Sequence, residues 1–201
     1  MNDKTDTSKE ILQAARQRFT HYGYSKTTMS EIARDCEMSA GNIYRFFASK
    51  LDIAEAMAVA FNNEAQEKIR KISNFEMSAP DRLFELFSYS LEDTYMKIEA
   101  EAKILEIARI LRTERPEFFN SQLAEERVHI VKILTDGIEA GDFRALDAPY
   151  VTAEMIQAAL MKFRFPQSYS SLKLDKLQYE LKGVMELLIA GLSPEAKIPD
   201  L

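Results

Sequence analysis

The sequence predicts an all-α protein of about nine helices, and three observations support this fold class. Apolar residues recur at helical spacing along most of the chain. No segment shows the regular alternation of apolar and polar residues that marks a half-buried strand. Glycine and proline are few, at six each among 201 residues, so they interrupt the helical pattern at only a few points.

Composition narrows the class of protein. The chain is 46% hydrophobic and 29% charged, which is typical of a soluble globular protein. No apolar run approaches the roughly 18 residues of a membrane span, and the polar start MNDKTDTSKE does not have the form of a signal peptide. The single cysteine, Cys36, allows no internal disulfide. We therefore expect a cytoplasmic protein with no membrane partner.

Charge is distributed unevenly along the chain. The net charge is −6, but residues 1–51 carry eight basic and six acidic side chains, a charge of +2. The remaining residues carry 18 basic and 26 acidic side chains, a charge of −8. A basic N-terminal segment on an acidic body would turn that segment toward phosphate groups.

The first helix is predicted over about residues 8–22. Thr7 and Glu10 have the spacing of a capping box at its start, and Gly23 follows its end as a C-cap. We expect residues 1–6 to form a loose tail.

The stretch from Thr27 to Lys50 predicts two short helices joined by a tight turn, and then the start of a fourth helix. Thr28 and Glu31 form a capping box for the second helix, and Ser39 is the N-cap of the third. The inner side of the third helix carries Ile43, Phe46 and Phe47.

The other side of the third helix has the composition of a DNA-reading surface. It consists of Ala40, Gly41, Asn42, Tyr44 and Arg45. Small residues let a helix approach a partner closely, while Asn and Arg hydrogen-bond base edges and a Tyr hydroxyl reaches phosphate. A second helix crossing behind it gives the helix-turn-helix arrangement of major-groove binding. The alternative for the pair alone is a plain surface helix hairpin.

The same residues carry a family resemblance. The pattern F-x-x-x-G-Y-x-x-T-T, then I-A, then S-x-G-x-[IL]-Y-x-[HYF]-F-x-[SN]-K is matched by Phe19, Gly23, Tyr24, Thr27, Thr28, Ile32, Ala33, Ser39, Gly41, Tyr44, Phe47, Ser49 and Lys50. This stretch resembles the DNA-binding domain of the TetR family of transcriptional repressors. One position departs from the pattern, because Glu37 stands where the turn usually has a small residue. If that position needs a positive φ, Glu37 is strained.

DNA contacts are assigned on this basis. Base contacts are expected from Ala40, Gly41, Asn42 and Arg45. Phosphate contacts are expected from Thr28, Ser39, Tyr44 and Lys50. The partner is double-stranded DNA, and a dimer would require an imperfectly palindromic operator.

Six further helices follow from caps and prolines. They are predicted at about 49–72, 78–95, 98–113, 116–140, 147–163 and 173–190. The chain thus divides into a helix-turn-helix DNA-binding domain, residues 1–50, and a helical ligand-binding and dimerisation domain, residues 51–201, joined by the fourth helix. A Ser-rich loop is expected at 167–171 and a loose end after the last helix.

The resemblance implies that the second domain binds an unidentified small effector and forms a homodimer through its last two long helices. Hydrophobic and aromatic candidates for the effector site are Phe87, Leu91, Tyr95, Leu105, Ala108, Phe119 and Leu123. Candidates for the dimer interface are Met155, Ala159, Leu177, Leu181, Val184 and Leu188. Lys103 or Arg109 is a candidate to bind an anionic group of the effector. Glu92, Asp93 or Glu106 is a candidate to bind a cationic group. Repression released by the effector is favoured, but activation stays open.

Catalytic and cofactor motifs are absent from the sequence. Glu126 and His129 match half of a di-iron bundle motif, but no second half accompanies them, so a polar helix face is favoured. No dinucleotide fingerprint, P-loop or G-x-S-x-G occurs. We expect no enzyme activity, no cofactor and no metal, and keep a DNA-independent all-α carrier or enzyme as the alternative.

Overall fold

The computed structural model describes residues 2–100, 103–166 and 171–196. These residues contain ten α-helices and no strand, which confirms the all-α prediction. The helices are α1 (Asn2–Tyr22), α2 (Met29–Asp35), α3 (Ala40–Ile43), α4 (Lys50–Ile72), α5 (Ala79–Ala100), α6 (Ile104–Glu114), α7 (Pro116–Ala140), α8 (Pro149–Ala159), α9 (Met161–Arg164) and α10 (Leu174–Leu192). No helix of the described residues is both long and apolar enough to cross a membrane.

Three predicted helix boundaries are wrong. Helix α1 begins at Asn2 and includes Thr7, so Thr7 is not an N-cap; no glycine or proline precedes Gly23, and nothing in the sequence stops the helix from extending. Helix α5 runs to Ala100 and takes up the residues assigned to the start of the sixth helix. The predicted eighth helix is divided at Leu160, which ends α8 and precedes α9. The predicted loop at 167–171 and the loose end fall mostly outside the described residues.

The chain forms two compact units. The head unit comprises residues 1–63 and 98–120, and the body unit comprises residues 64–97 and 121–201. Helices α4, α5 and α7 each contribute residues to both units. These units are defined by packing, whereas the predicted division at residue 50 separates DNA binding from ligand binding and dimerisation. The functional division stays a prediction.

The head unit packs α6 together with the four N-terminal helices. Its buried residues include Ile11 and Phe19 of α1, Ile32 of α2, Ile43 of α3 and Ile53 of α4. Helix α6 adds Ile107 and Leu111 to the same core. The core therefore fixes the orientation of α2 and α3 from behind, and leaves their other sides available.

The body unit has its own core, to which α5, α7, α8 and α10 contribute most and the end of α4 and α9 add residues. Buried side chains include Leu83, Leu86 and Leu91; Ile130, Ile133 and Leu134; Ala153 and Ile156; Leu177, Leu181 and Met185; and Ile69, Ile72 and Phe163. Gly137 allows α7 to approach its neighbours closely. A Cβ there would lie 2.6 Å from the Cβ of Ala79 and 2.4 Å from Cδ2 of Phe143, so no larger residue fits without displacement.

Candidate nucleic-acid interface

Helix α2 begins with the predicted capping box. The Thr28 hydroxyl accepts a hydrogen bond from the backbone N–H of Glu31 at 3.3 Å, and the Glu31 carboxylate accepts one from the backbone N–H of Thr28 at 2.8 Å. The Thr28 hydroxyl also donates to this carboxylate at 2.8 Å, and these bonds lower the pKa of Glu31. Both groups are satisfied locally, so the start of α2 is fixed.

The turn between α2 and α3 contains the strained residue that the sequence pattern indicated. Glu37 has a φ of 53°, in the left-handed region that non-glycine residues seldom adopt. The turn is closed by backbone bonds from Glu37 N to Arg34 O at 3.1 Å and from Met38 N to Ala33 O at 2.9 Å. The conditional expectation of a positive φ at Glu37 is confirmed.

Helix α3 is shorter than predicted. The Ser39 hydroxyl caps it by accepting from Asn42 N at 3.2 Å, and the α-helix ends at Ile43. The chain continues as a turn, with Phe47 N donating to Ile43 O at 3.1 Å. Ile43 is fully buried, while Phe46 and Phe47 are half-buried against the head core. The inner side is thus the one that the sequence predicted.

The outer side of α3 and of the turn that follows it, Tyr44 and Arg45, is open. Ala40, Gly41, Tyr44 and Arg45 are exposed and Asn42 is half-buried. A Cβ built on Gly41 meets nothing within 4 Å. Within the described part of the chain, neither the Arg45 guanidinium nor the Asn42 side-chain amide makes a hydrogen bond or ion pair. These groups are therefore free to bind a partner molecule.

An ion pair ties α1 to α2 behind this surface. Arg18 donates from Nε and Nη2 to the two carboxylate oxygens of Asp35, the second bond measuring 2.9 Å. Its Nη1 also lies 3.4 Å from Glu31 Oε1. The hydrogen bond from Arg18 lowers the pKa of Asp35. A bidentate pair of this kind fixes orientation as well as distance.

Lys50, a predicted phosphate contact, has internal partners as well. Its ammonium donates to the carbonyl oxygens of Tyr24 and Thr27, both at 2.7 Å. It also lies 4.1 Å from the centroid of the Tyr24 ring. Burial lowers the pKa of Lys50. Two of its three donors thus hold the α1–α2 loop against the start of α4, and one is left for another acceptor.

Sequence reasoning missed the side chains that join α6 to the rest of the head unit. Glu106 accepts hydrogen bonds from the backbone N–H groups of Tyr24 and Ser25, at 2.9 and 3.1 Å, and from the Ser25 hydroxyl. The bond from the Ser25 side chain lowers the pKa of Glu106. Lys103 donates to the carbonyl oxygen of His21.

Helix α4 is held in a similar way near the other end of α6. Arg115 pairs with Asp52 at 2.7 Å and with Glu55 at 3.1 Å. These partners lie about 60 to 80 positions apart in sequence, and no local motif signals them.

The predicted effector-binding residues are divided between the two units. In the body unit, Phe87 and Leu91 are buried in the core, Tyr95 packs against it and Leu123 is half-buried. In the head unit, Leu105, Ala108 and Phe119 are half-buried. Each unit therefore holds part of the set, and the effector assignments stay predictions.

The predicted dimer residues require a correction. Leu177 is fully buried and Leu181 is 1% exposed, so both belong to the body core and neither offers a surface to a partner. Their helical stripe was identified correctly, but it is the core face of α10. Val184 and Leu188 pack against the same core and are partly buried. Met155 and Ala159 of α8 are exposed.

Another face of α10 is open to solvent. Leu187 is 75% exposed and Tyr179 is 72% exposed. Gly183 lies between them, and a Cβ there would meet nothing within 4 Å.

His129 contacts the Ser73 hydroxyl at 3.4 Å, and the described residues contain no group of three or more His, Cys, Asp or Glu side chains arranged to bind a metal.

Comparison with known families decides the class of protein. The family of bacterial regulatory proteins named tetR matches residues 11–57, and the tetracyclin repressor-like C-terminal domain matches residues 79–185. The chain belongs to the TetR family of transcriptional regulators.

Relatives of the TetR family match over most of the chain. The uncharacterised transcriptional regulator YhgD of Bacillus subtilis is 24% identical over 94% of this chain and 97% of its own length. The transcriptional repressor KstR2 of Mycobacterium tuberculosis is 28% identical over 67% of this chain and 68% of its own. The known relatives are transcriptional regulators.

A solved structure shows the same fold. The TetR-family repressor FadR of Thermus thermophilus, crystallised in complex with lauroyl-CoA, superposes with a TM-score of 0.69 at 21% identity. The alignment covers 96% of this chain and all of FadR. The two TetR-family domain matches correspond to α1 through the first part of α4, and to α5 through part of α10.

Proposed function

We propose that the chain is a dimeric TetR-family repressor that binds a palindromic operator through α3 and is released by a small hydrophobic or amphipathic effector. The observation that carries this proposal is the open side of α3. The side chains of Asn42 on α3 and of Arg45 in the turn after it have no internal partner in the described chain, and the small residues Ala40 and Gly41 of α3 are exposed. A helix with a buried inner side and such an outer side is suited to the major groove.

The DNA contacts divide by chemistry. Arg45 and Asn42 hydrogen-bond base edges, and Ala40 and Gly41 let the helix backbone approach the bases. Ser39 and Tyr44 contact phosphates. The Thr28 hydroxyl would have to turn its single donor from Glu31 to a phosphate to do the same. Lys50 contributes its remaining donor to a phosphate while its other two donors hold the α1–α2 loop.

The homodimer forms through the open faces of α8 and α10. On α10, Tyr179, Gly183 and Leu187 recur at steps of four residues and so share one face. On α8, Met155 and Ala159 have the same spacing and are exposed. Each helix therefore offers a large apolar residue beside a small one, the composition expected of a closely packed helix pair. The surface is self-complementary in an isologous dimer.

The effector is a molecule with a long apolar part, and a fatty acyl chain is the first candidate. The apolar and aromatic composition of the predicted effector site supports this class, and FadR of Thermus thermophilus was solved with lauroyl-CoA. The residues proposed to line the site are the candidates that lie in the body unit, Phe87, Leu91, Tyr95 and Leu123. An effector releases DNA if it binds better to the dimer conformation that does not fit the operator.

Selection of bound duplexes from a random DNA pool tests the proposal. We expect enrichment of an imperfect palindrome whose half-sites lie about 34 Å apart, one helical turn. Dodecanoate, lauroyl-CoA and 1-dodecanol are then added separately to the complex with the selected duplex. We expect one of these dodecyl compounds to release the DNA. A purified protein that enriches no sequence at low ionic strength would leave the carrier as the better assignment.

A reporter gene placed behind the selected operator separates repression from activation. Expression should fall when the protein is present and recover when the effector is added. Expression that rises only with the effector would instead assign an activator.

A further inference from the structure

A buried polar cluster lies within the body unit. Glu126 of α7 is the centre of this cluster, with a side chain only 2% exposed. One carboxylate oxygen accepts from Arg164 Nε at 3.1 Å, and the other accepts from Gln157 Nε2 at 3.1 Å. Gln157 also donates to Leu123 O at 3.0 Å and accepts from Arg127 Nε at 2.8 Å. The carboxylate and the amide are thus fully engaged with protein groups.

Arg164 is the member of the cluster with unused hydrogen-bonding capacity. Its Nε binds Glu126, and its Nη1 lies 3.3 Å from the Thr94 hydroxyl oxygen. Its Nη2 has no hydrogen-bond partner among the residues that the structure describes. The side chain keeps 15% of its surface exposed, so a molecule arriving from solvent can reach it. A guanidinium with an open edge is suited to a planar or tetrahedral oxyanion.

A second polar group without a partner is close in the fold. Ser90 precedes Thr94 by four residues on α5, so the two hydroxyls lie on the same side of the helix. Ser90 is 5% exposed, and its hydroxyl oxygen is buried with no hydrogen-bond partner in the described chain. Buried hydroxyls are normally satisfied. The Ser90–Thr94 side of α5 therefore offers one unused polar group, one helical turn from the Thr94 hydroxyl that Arg164 contacts.

Stability alone is a poor explanation for these groups. Desolvating a charged pair costs about as much as its attraction returns, and well-packed apolar residues often serve as well. Other basic residues are engaged elsewhere: Lys103, an anion anchor considered from the sequence, donates to the backbone of His21, and Lys162 of α9 pairs with Glu180. Arg164 belongs to the body unit, whereas Lys103 lies in the head unit. Unlike Lys162, whose ammonium pairs with Glu180, Arg164 keeps its Nη2 without a partner among the described residues.

We infer that Arg164 binds the anionic group of the effector, with Thr94 and Ser90 as neighbouring polar contacts. The inference rests on the proposed function in one respect, the amphipathic effector. The anion is a carboxylate or a phosphate, since both fit the open edge of the guanidinium. Glu126 holds Arg164 in place through Nε and competes with the ligand for its charge.

Calorimetric titration of the full chain with three dodecyl probes tests this assignment. Dodecanoate presents a carboxylate, lauroyl-CoA presents phosphates, and 1-dodecanol is neutral. For the anionic probe that the unmodified protein binds, Arg164→Gln should weaken binding about tenfold or more, as loss of a charge-assisted contact does. Binding of 1-dodecanol should not change. The probe that loses affinity identifies the source of the anion.

Two further variants sharpen the test. Lys162→Gln removes a basic residue from the same short helix and should leave all three affinities unchanged. Glu126→Gln keeps the shape of the side chain but removes the competing charge, so anion binding should become several-fold tighter. This variant also carries the test if Arg164→Gln does not fold, because a purely structural role for the pair predicts no gain in affinity.

The outcomes that overturn the inference are distinct from those that overturn the proposed function. Equal anion affinity in the folded Arg164→Gln variant, or an equal loss for 1-dodecanol, removes the anion-binding role from Arg164 and leaves the repressor proposal intact. Unchanged anion affinity in Glu126→Gln also counts against it. If the unmodified protein binds none of the three probes, the dodecyl effector class is wrong, and this inference with it.

Discussion

At the scale of single residues, Arg45 has little structural reason for its position. It is exposed, unpaired within the described chain, and attached to a helix whose inner side is core. Arg45→Ala should therefore leave the fold unchanged and relax sequence preference at one base step by about 1–3 kcal/mol, the value of a good side-chain contact to a base. Competition binding with single-base operator variants measures this.

A matched control for Arg45 is Arg70→Ala, because Arg70 is also exposed but lies near the end of α4 and pairs with Glu67. This control should bind the same operator variants with unchanged preference. If Arg45→Ala keeps the preference of the unmodified protein at every position, Arg45 does not read a base.

A substitution of Lys50 removes its observed hydrogen bonds and its proposed phosphate contact together. Lys50→Ala eliminates the hydrogen bonds to the Tyr24 and Thr27 carbonyls, so the head unit should lose about 1–3 kcal/mol of stability, the value of hydrogen bonds to a charged group. If Lys50 also contacts a phosphate, binding should weaken uniformly across sequences and the salt slope should fall by about one. Denaturant unfolding and salt titrations measure the two effects separately. An unchanged salt slope with reduced stability would leave Lys50 only its structural role.

The sequence predicted local features at this scale better than distant ones. The Thr28–Glu31 capping box and the positive φ at Glu37 depend on residues within four positions of each other, so a motif determines them. The contact of Lys50 with Tyr24 depends on how α4 packs against a loop 26 residues earlier, and no spacing rule identifies that geometry. Leu177 and Leu181 show a further limit, because helical periodicity identifies an apolar face without saying whether the protein core or a partner covers it.

At the scale of elements, α6 packs with helices that the sequence did not identify as its neighbours. Its Ile107 and Leu111 belong to the head core and its Glu106 closes the α1–α2 loop, while the functional division at residue 50 stays a prediction. Periodicity correctly predicted that α6 exists and is apolar on one side. The packing partners of α6 are set by contacts between residues more than 80 positions apart in sequence. No short pattern in a single sequence indicates such contacts.

The bond network of Glu106 predicts a specific dependence on pH. The pKa of Glu106 is lowered in the folded protein, so its ionised form adds stability above the unfolded pKa, near 4.3. That contribution disappears as pH falls through the folded pKa. Glu106→Gln should reduce the free energy of unfolding at neutral pH by about 1–2 kcal/mol and flatten the acid limb of the stability curve.

Chemical denaturation between neutral and acidic pH provides the measurement for Glu106. Glu117→Gln is the control, because Glu117 is exposed at the start of α7 and should follow the curve of the unmodified protein. A Glu106→Gln curve parallel to the unmodified one at all pH values would show that the carboxylate contributes no stability through its charge.

At the scale of the whole molecule, the proposed dimer depends on the exposed apolar face of α10. Leu187 and Tyr179 on α10 are among the most exposed large apolar side chains of the described residues, and they share a face with Gly183. Leu187→Glu should abolish the dimer, because the isologous interface would bury two carboxylates, one from each copy. The protomer itself should stay folded, since Leu187 is 75% exposed within it.

Sedimentation velocity at micromolar concentration distinguishes the two states of this 23.0 kDa chain. The unmodified protein should sediment as a dimer and Leu187→Glu as a monomer with an unchanged circular dichroism spectrum. Val128→Glu is the matched control, because Val128 is 62% exposed on α7 and outside the proposed interface. The monomeric variant should also bind the palindromic operator far more weakly than the dimer, since each head would contact only one half-site. A Leu187→Glu protein that remains dimeric would place the interface on another surface of the body unit.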